Sequence, residues 1–325
     1  MTFESNSRRN FLKTASVSVF SMALPESIIS LFSTNQKAVS LGLITDLHVD
    51  IIHDAEIRLT TFLEEMKSEK VDALVQLGDF AIPKPENLHF IKSFNQAHQH
   101  TFHVLGNHDM DEGFTREDVE ETYGMRGRYY STEVDGIQIL VLDGNESGSP
   151  NYKSGYHSYI GPEQQAWLRG ELAKAEKPVL IVSHQPIAGI YTIDNAQQIQ
   201  ALLSEFSGKI LLAINGHAHV DQYVLVGGVN YLHINSASYY WVGEKLAHLS
   251  LPEEVHTQFP SLQFTCPYSA PLFGILTIDP EQKMISLKGK KAQWIGPSPL
   301  ELGYSIVSPE MQQRHVLPQI SDREI

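Results

Sequence analysis

The 325-residue chain has one cysteine, Cys266. A disulfide framework within the chain is excluded, and so is a zinc site built on several thiolates. Basic residues are few: 24 Lys and Arg stand against 38 Asp and Glu, a formal net charge of −14. A field of that sign repels a phosphate backbone, which argues against a nucleic-acid polymer as partner. It leaves room for a small phosphorylated ligand, because a local metal charge can outweigh the global one. No apolar run reaches the roughly 20 residues of a membrane span. The run from Ala15 to Leu24 is diluted by serine and interrupted by Pro25 and Glu26. Glycine (22) and proline (16) give no sign of collagen or bulk disorder, and 42% hydrophobic residues suffice for a sizeable core.

What is present is a repeating alternation. Val39 to Thr45 reads as a buried strand, and Ala55, Leu59, Phe62 and Met66 follow at helical spacing. Val71 to Leu77 and Thr101 to Leu105 are further strands, with a helix over Leu88 to Gln99 between them. Tyr129 to Glu133 and Gly136 to Leu142 form a hairpin. Helices over Pro162 to Lys174 and Asn195 to Phe206 alternate with strands Val179 to Val182 and Ile210 to Ile214. Strands then crowd the remainder: Gln222 to Val226, Tyr231 to Asn235, Phe273 to Asp279 and Met284 to Lys288. The pattern is α/β.

Polar groups collect where five of these strands end: Asp46-x-His48, Gly78-Asp79, Gly106-Asn107-His108-Asp109, Ser183-His184 and Gly216-His217-x-His219. Ligands of open α/β sheets gather beyond the carboxyl ends of the strands. Asp46 and His48, two apart, would face one side of an extended tip, and so would His217 and His219. A single histidine at a strand end is more often a hydrogen-bonded loop residue; five clusters at five strand ends call for another account. The donors are Asp46, His48, Asp79, Asn107, His184, His217 and His219. Seven over-supply one zinc, which wants about four. They suit two ions sharing a carboxylate, and the mixed N/O set favours Mn, Fe, Zn or Co over calcium.

D-x-H, G-D, G-N-H-D, a lone histidine and G-H-x-H, in that order, resemble the calcineurin-like metallophosphoesterases over roughly Val39 to Lys288. The resemblance implies a four-layer α/β/β/α sandwich of two mixed sheets flanked by helices. It implies Asp46, His48, Asp79 and His219 on one transition-metal ion, and Asp79, Asn107, His184 and His217 on the other, with Asp79 bridging. The implied reaction is in-line attack of hydroxide on phosphorus at a two-metal centre. His108 would bind the phosphoryl oxygen or protonate the leaving oxygen, with Asp109 accepting from its other nitrogen; the alternative for Asp109 is a helix N-cap on the next segment. Ile82 stands where purple acid phosphatases carry a metal-binding tyrosine, so no iron–tyrosinate colour is expected. The favoured activity is a phosphodiesterase acting on a nucleotide-type small molecule. The alternatives are a phosphomonoesterase, a nucleotide-diphosphate hydrolase or, outside enzymes, a metal-free protein-binding module. A metallo-β-lactamase-like hydrolase would want H-x-H-x-D-H early in the chain, and none is present.

Ser7-Arg8-Arg9-Asn10-Phe11-Leu12-Lys13 resembles the twin-arginine export motif. It implies engagement of the Tat machinery and a periplasmic or extracytoplasmic location. The expected organisation is a signal region over 1–38, a phosphoesterase domain over 39–290 and a C-terminal extension over 291–325. Substrate choice is expected from two irregular regions. One is Gly144 to Gly161, with Tyr156 and His157. The other is Ser238 to Trp241, whose aromatics serve either core or cleft. The loop containing Tyr191 borders the site, and Tyr239 joins it as a weak substrate-binding candidate.

Overall fold

A computed structural model describes residues 24–305 and 307–325. The fourteen strands are β1 (Val39–Ile44), β2 (Ala73–Gln76), β3 (Thr101–His103), β4 (Tyr130–Val134), β5 (Ile137–Val141), β6 (Val179–Ser183), β7 (Ile210–Asn215), β8 (Gln222–Val226), β9 (Val229–His233), β10 (Tyr239–Trp241), β11 (Thr265–Pro267), β12 (Gly274–Asp279), β13 (Met284–Lys288) and β14 (Arg323–Glu324). Two six-stranded mixed sheets result, ordered β14-β13-β12-β1-β2-β3 and β4-β5-β6-β7-β9-β8, plus the small pair β10-β11. Within them β1, β2 and β3 run parallel, as do β5, β6, β7 and β9.

The strands are apolar on both faces because both faces are covered. Leu41, Leu43, Val75, Leu180, Val182, Leu212 and Ile214 fill the space between the sheets. The outer face of the first sheet packs Leu74 and Ile275 against Phe62 and Met66 of helix Ala55–Glu69 and Phe94 of helix Leu88–Ala97. The outer face of the second packs Ile181 and Ala213 against Leu168 and Leu172 of helix Pro162–Lys174 and Ile199 and Leu203 of helix Ala196–Ser204. This is a four-layer α/β/β/α sandwich, the fold class expected from the sequence.

The strands and helices named from the sequence are present, with β9 lying two residues earlier than expected. Helices Arg116–Tyr123, Glu253–Gln258 and Pro309–His315 and strands β10, β11 and β14 were not expected. All are eight residues or shorter, and such lengths carry little periodicity to read. The segment 291–325 is woven into the domain: β14 pairs with β13, and Arg323 and Ser321 converge on buried Asp221 beyond β7. At the other end, Leu24 and Ile28 are buried in the inter-sheet core, and the Leu24 amide donates to the Lys283 carbonyl (2.9 Å). The twin-arginine motif lies outside the described residues.

Candidate metal centre

The parallel strands of both sheets aim their carboxyl ends at one place. Asp46 and His48 follow β1, Asp79 follows β2, Asn107 follows β3, His184 follows β6, and His217 and His219 follow β7. The backbone there is not the extended tip expected from the i, i+2 spacing. Asp46, His48, Asp79, His217 and His219 all have positive φ, between 49° and 65°. The left-handed region is uncommon for residues other than glycine, so each tip curls instead of running on, and both members of each pair turn into the site. Neighbouring tips hold these curls in place: the Asp46 amide donates to the Gly78 carbonyl and the His48 amide to the Asp79 carbonyl (both 3.0 Å). Two glycines are needed for close approach. A Cβ on Gly106 would run into the Asp79 backbone and carboxylate, and one on Gly216 into the Thr45 hydroxyl and the Asp46 carboxylate.

Two groups of donor atoms result, each within 4.8 Å: Asp46, His48 and His219, and Asp79, His184 and His217. In the first, His219 Nδ1 donates to the Tyr239 carbonyl (2.6 Å), which turns Nε2 toward the other donors. That nitrogen faces Asp46 Oδ1 at 3.1 Å and His48 Nε2 at 3.3 Å. In the second, His184 Nδ1 donates to the Leu77 carbonyl (2.8 Å). Its Nε2 faces three acceptors: Asp79 Oδ2 at 3.1 Å, and Asn107 Oδ1 and His217 Nδ1 at 3.2 Å each. One proton cannot satisfy three acceptors, so this donor set fits a cation. Asp79 Oδ2 also lies 3.7 Å from His48 Nε2, which places one carboxylate oxygen between the two groups.

Protonation tells the same story. Burial alone would raise the Asp46 carboxyl, but neighbouring His219 brings it down to about 2. Burial pushes His48 and His217 down to about 3, so both imidazoles are neutral and able to ligate. Burial also opposes charge on His184, yet the Asp79 carboxylate overrides it and holds that imidazole at about 9. The proton on His184 occupies the space that suits a metal ion.

His108 sits over the first group, its ring 5.1 Å from that of His48. The expected Asp109 partnership is replaced by another. His108 Nδ1 donates to Asp111 Oδ2 (2.6 Å), and the Tyr156 hydroxyl donates to Asp111 Oδ1 (2.7 Å). Burial disfavours charge on His108, but Asp79 and Asp111 outweigh it and raise the imidazole to about 9. Asp109 is fully buried and turned away. It accepts from the amides of Gly106, Asp79, Phe80 and Ala81 and from the Tyr123 hydroxyl, at 2.7–3.2 Å. It clamps the Gly-Asp and Gly-Asn-His-Asp loops together and does not cap the following turn. A carboxylate three residues beyond His108, in the run NHDMD, was the sequence signal for the imidazole's partner.

A cleft of about 530 Å³ opens above both groups, walled by Tyr156, Tyr191, Tyr239, Tyr240, Trp241 and Tyr304. Tyr239 is buried and stacks behind His48 (5.0 Å between rings), so it supports a donor more than it meets solvent. Trp241 is 42% exposed at the rim, which decides between cleft and core for that side chain. Tyr191 borders the cleft as expected, its hydroxyl 3.1 Å from that of Tyr304. His157 is set apart, in a neighbouring recess with Arg116, its ring against Tyr152. Tyr304 comes from the C-terminal segment, and no motif marked it.

Comparison with known proteins agrees with this geometry. The chain is 25% identical over 209 residues to a probable cyclic nucleotide phosphodiesterase of Fibrobacter succinogenes, covering 57% of this chain and 75% of that one. Among solved structures, its fold is similar to a dimetal phosphatase from Danio rerio (TM-score 0.56, 16% identity, 81% of this chain and all of the other). It is also similar to the GAP50 anchor of the Plasmodium inner membrane complex (TM-score 0.51, 15% identity, 78% and 84%). Residues 39–221, more than half of the chain, match the model of the calcineurin-like phosphoesterases, and the chain belongs to that family.

Proposed function

We propose that the protein is a metal-dependent phosphodiesterase acting on a small, nucleotide-type ester. The observation that carries the reading is the pair of donor groups facing Asp79 Oδ2 beneath a cleft large enough for more than a phosphate. Asp46, His48, Asp79 and His219 would hold one transition-metal ion, and Asp79, Asn107, His184 and His217 the other. When bound, the two ions supply Lewis acidity toward phosphoryl oxygens and acidify water near neutral pH. The chain's own residues do the rest. Asp111 fixes the His108 ring through Nδ1 and leaves Nε2 toward the cleft, protonated at neutral pH. That N–H can bind a phosphoryl oxygen as its charge grows, or pass its proton to the leaving oxygen. The aromatic walls hold the organic part of the ester and limit water. The similarity to the Fibrobacter protein supports a nucleotide diester over a simple monoester.

The test is one rate comparison on protein reconstituted with Mn²⁺: kcat/KM for bis(p-nitrophenyl) phosphate against p-nitrophenyl phosphate. A diester preference is expected; a monoester preference would make the protein a phosphatase. We also propose export by the twin-arginine route, on the strength of Ser7 to Lys13. Replacing Arg8 and Arg9 by Lys should leave the protein in the cytoplasmic fraction, and continued export would refute the route.

A further inference from the structure

The cleft above the metal centre is unusual in what it omits. Among the described residues lining it there is no Lys or Arg. Four separate segments converge to build the walls instead: Tyr156 from the glycine-serine loop, Tyr191 from the loop after β6, the aromatics of β10, and Tyr304 from the C-terminal segment. Tyr156, Tyr191 and Trp241 are 50%, 41% and 42% exposed, so flat faces are open to a ligand.

The two flanking recesses offer no better home for a second anion. The one on the far side of His108 is lined by Asp50, Asp111 and Glu112. Lys84 beside it is already shared between Asp50 and Glu112 at 2.8 Å each. The other holds Arg116, His157 and Glu117; Arg116 Nε lies 3.1 Å from buried Asp143 and its Nη2 donates to the Asn145 carbonyl (2.9 Å). A substrate with one charge can place that charge on the metal centre. Within the cleft a second phosphate would face tyrosine rings; in the recesses it would meet carboxylates, or His157 beside Glu117 and an arginine already shared with Asp143. An anion desolvated without a partner, or set beside like charges, is penalised heavily. An uncharged planar group is spared the ionic penalty there and gains aromatic contact.

We infer that the cleft selects phosphodiesters whose only charge is on the phosphoryl group at the metal centre, with a flat, uncharged remainder lying against Trp241 and Tyr191. The inference rests on the phosphodiesterase reading and narrows it. Diphosphates and esters carrying a further phosphate are rejected by the walls and not by the chemistry.

The experiment uses the full, Mn²⁺-reconstituted protein and two esters with the same scissile bond. One is the p-nitrophenyl ester of thymidine 5′-phosphate; the other is its 3′-phosphorylated counterpart. The expected result is kcat/KM lower by about 100-fold or more for the second, carried mainly by KM, as unpaired like charge costs in a binding site. Equal values would overturn the inference while leaving the phosphodiesterase reading intact. Turnover of p-nitrophenyl phosphate with neither diester cleaved would instead refute the phosphodiesterase reading. Trp241→Arg, at an exposed rim position, should narrow the ratio between the two esters at least fivefold. A ratio unchanged in that variant would remove Trp241 from the selecting wall.

Discussion

The floor of the site and its walls are built on opposite plans. The floor residues Asp46, His48, Asp79, Asn107, His184 and His219 are buried, and each follows a strand end in a short local motif. The walls come from loops, from the short strand β10 and from a segment more than 80 residues beyond the last ligand, and half of their rings reach solvent. Hydrogen bonds between neighbouring tips leave the floor one arrangement. The walls are joined side chain to side chain, through the Tyr191–Tyr304 hydroxyl contact, the edge-to-face Tyr240–Tyr304 pair (5.3 Å between rings) and the Tyr156–Asp111 bond. In the proposed reading the chemistry belongs to the floor, and substrate choice to the walls.

That contrast can be broken at the floor first. Asp79→Asn removes the charged oxygen between the two donor groups. Activity should fall by about 10³-fold or more, and metal analysis should find both ions depleted; a variant that keeps two ions would show Asp79 not to be shared. His108→Ala should keep its metals and lose about 10²–10⁴-fold in kcat, as for a proton-transfer group. Depleted metals in this variant would make His108 a ligand. Asp111→Asn acts one step further out. A loss of about 10–100-fold is expected, the usual cost of an orienting partner. It should be larger for esters with poor leaving alcohols, where the His108 proton matters most. A loss independent of the leaving group would make Asp111 merely structural.

The smallest effect lies away from the site. His103 on β3 is buried between Gln76 and Asn95, and burial pushes its imidazole down to about 3. The unfolded chain takes up this proton near pH 6.5, and the folded one only near pH 3. Stability from this group is therefore full above pH 6.5 and declines as pH falls toward 3, by roughly 2 kcal/mol at pH 5. His103→Gln should flatten that decline. Urea midpoints at pH 8 and pH 5 for both proteins measure it, since metal loss at low pH is common to the two. Parallel declines would sink the assignment.

The floor could be read before the structure; of the walls, Tyr156, Tyr191 and the stretch Ser238 to Trp241 were legible as candidates, and Tyr304 was not. Each ligand announces itself by residue type at the end of an apolar run, and the runs were long enough to show their period. The curl of the tips was hidden, because Asp and His carry no obligatory backbone signal as glycine does. The partner of His108 was hidden for a related reason. The backbone between Asp109 and Asp111 turns so that the nearer carboxylate faces inward and the farther one faces the imidazole. Trp241 belongs to the three-residue strand β10 and Tyr304 to irregular chain ahead of helix Pro309–His315, so the place of each depends on contacts across the chain, such as the β10-β11 pair. Arg58 is another such case: it is fully buried in helix Ala55–Glu69 and donates to the Ala237 and Tyr268 carbonyls (2.9 and 2.6 Å), holding the loop that leads into β10.

The left-handed turns at five of the metal-site residues carry a thermodynamic consequence. Each costs on the order of 1 kcal/mol relative to ordinary backbone, a total comparable to much of a domain's net stability. The empty protein holds these bends against the charge of its own carboxylates, whereas ion binding draws on ligands already in position. Metal occupancy should thus be legible in the melting curve itself. A partly loaded sample would melt as two populations, and chelation would lower the midpoint even where the fold at 25 °C is unchanged.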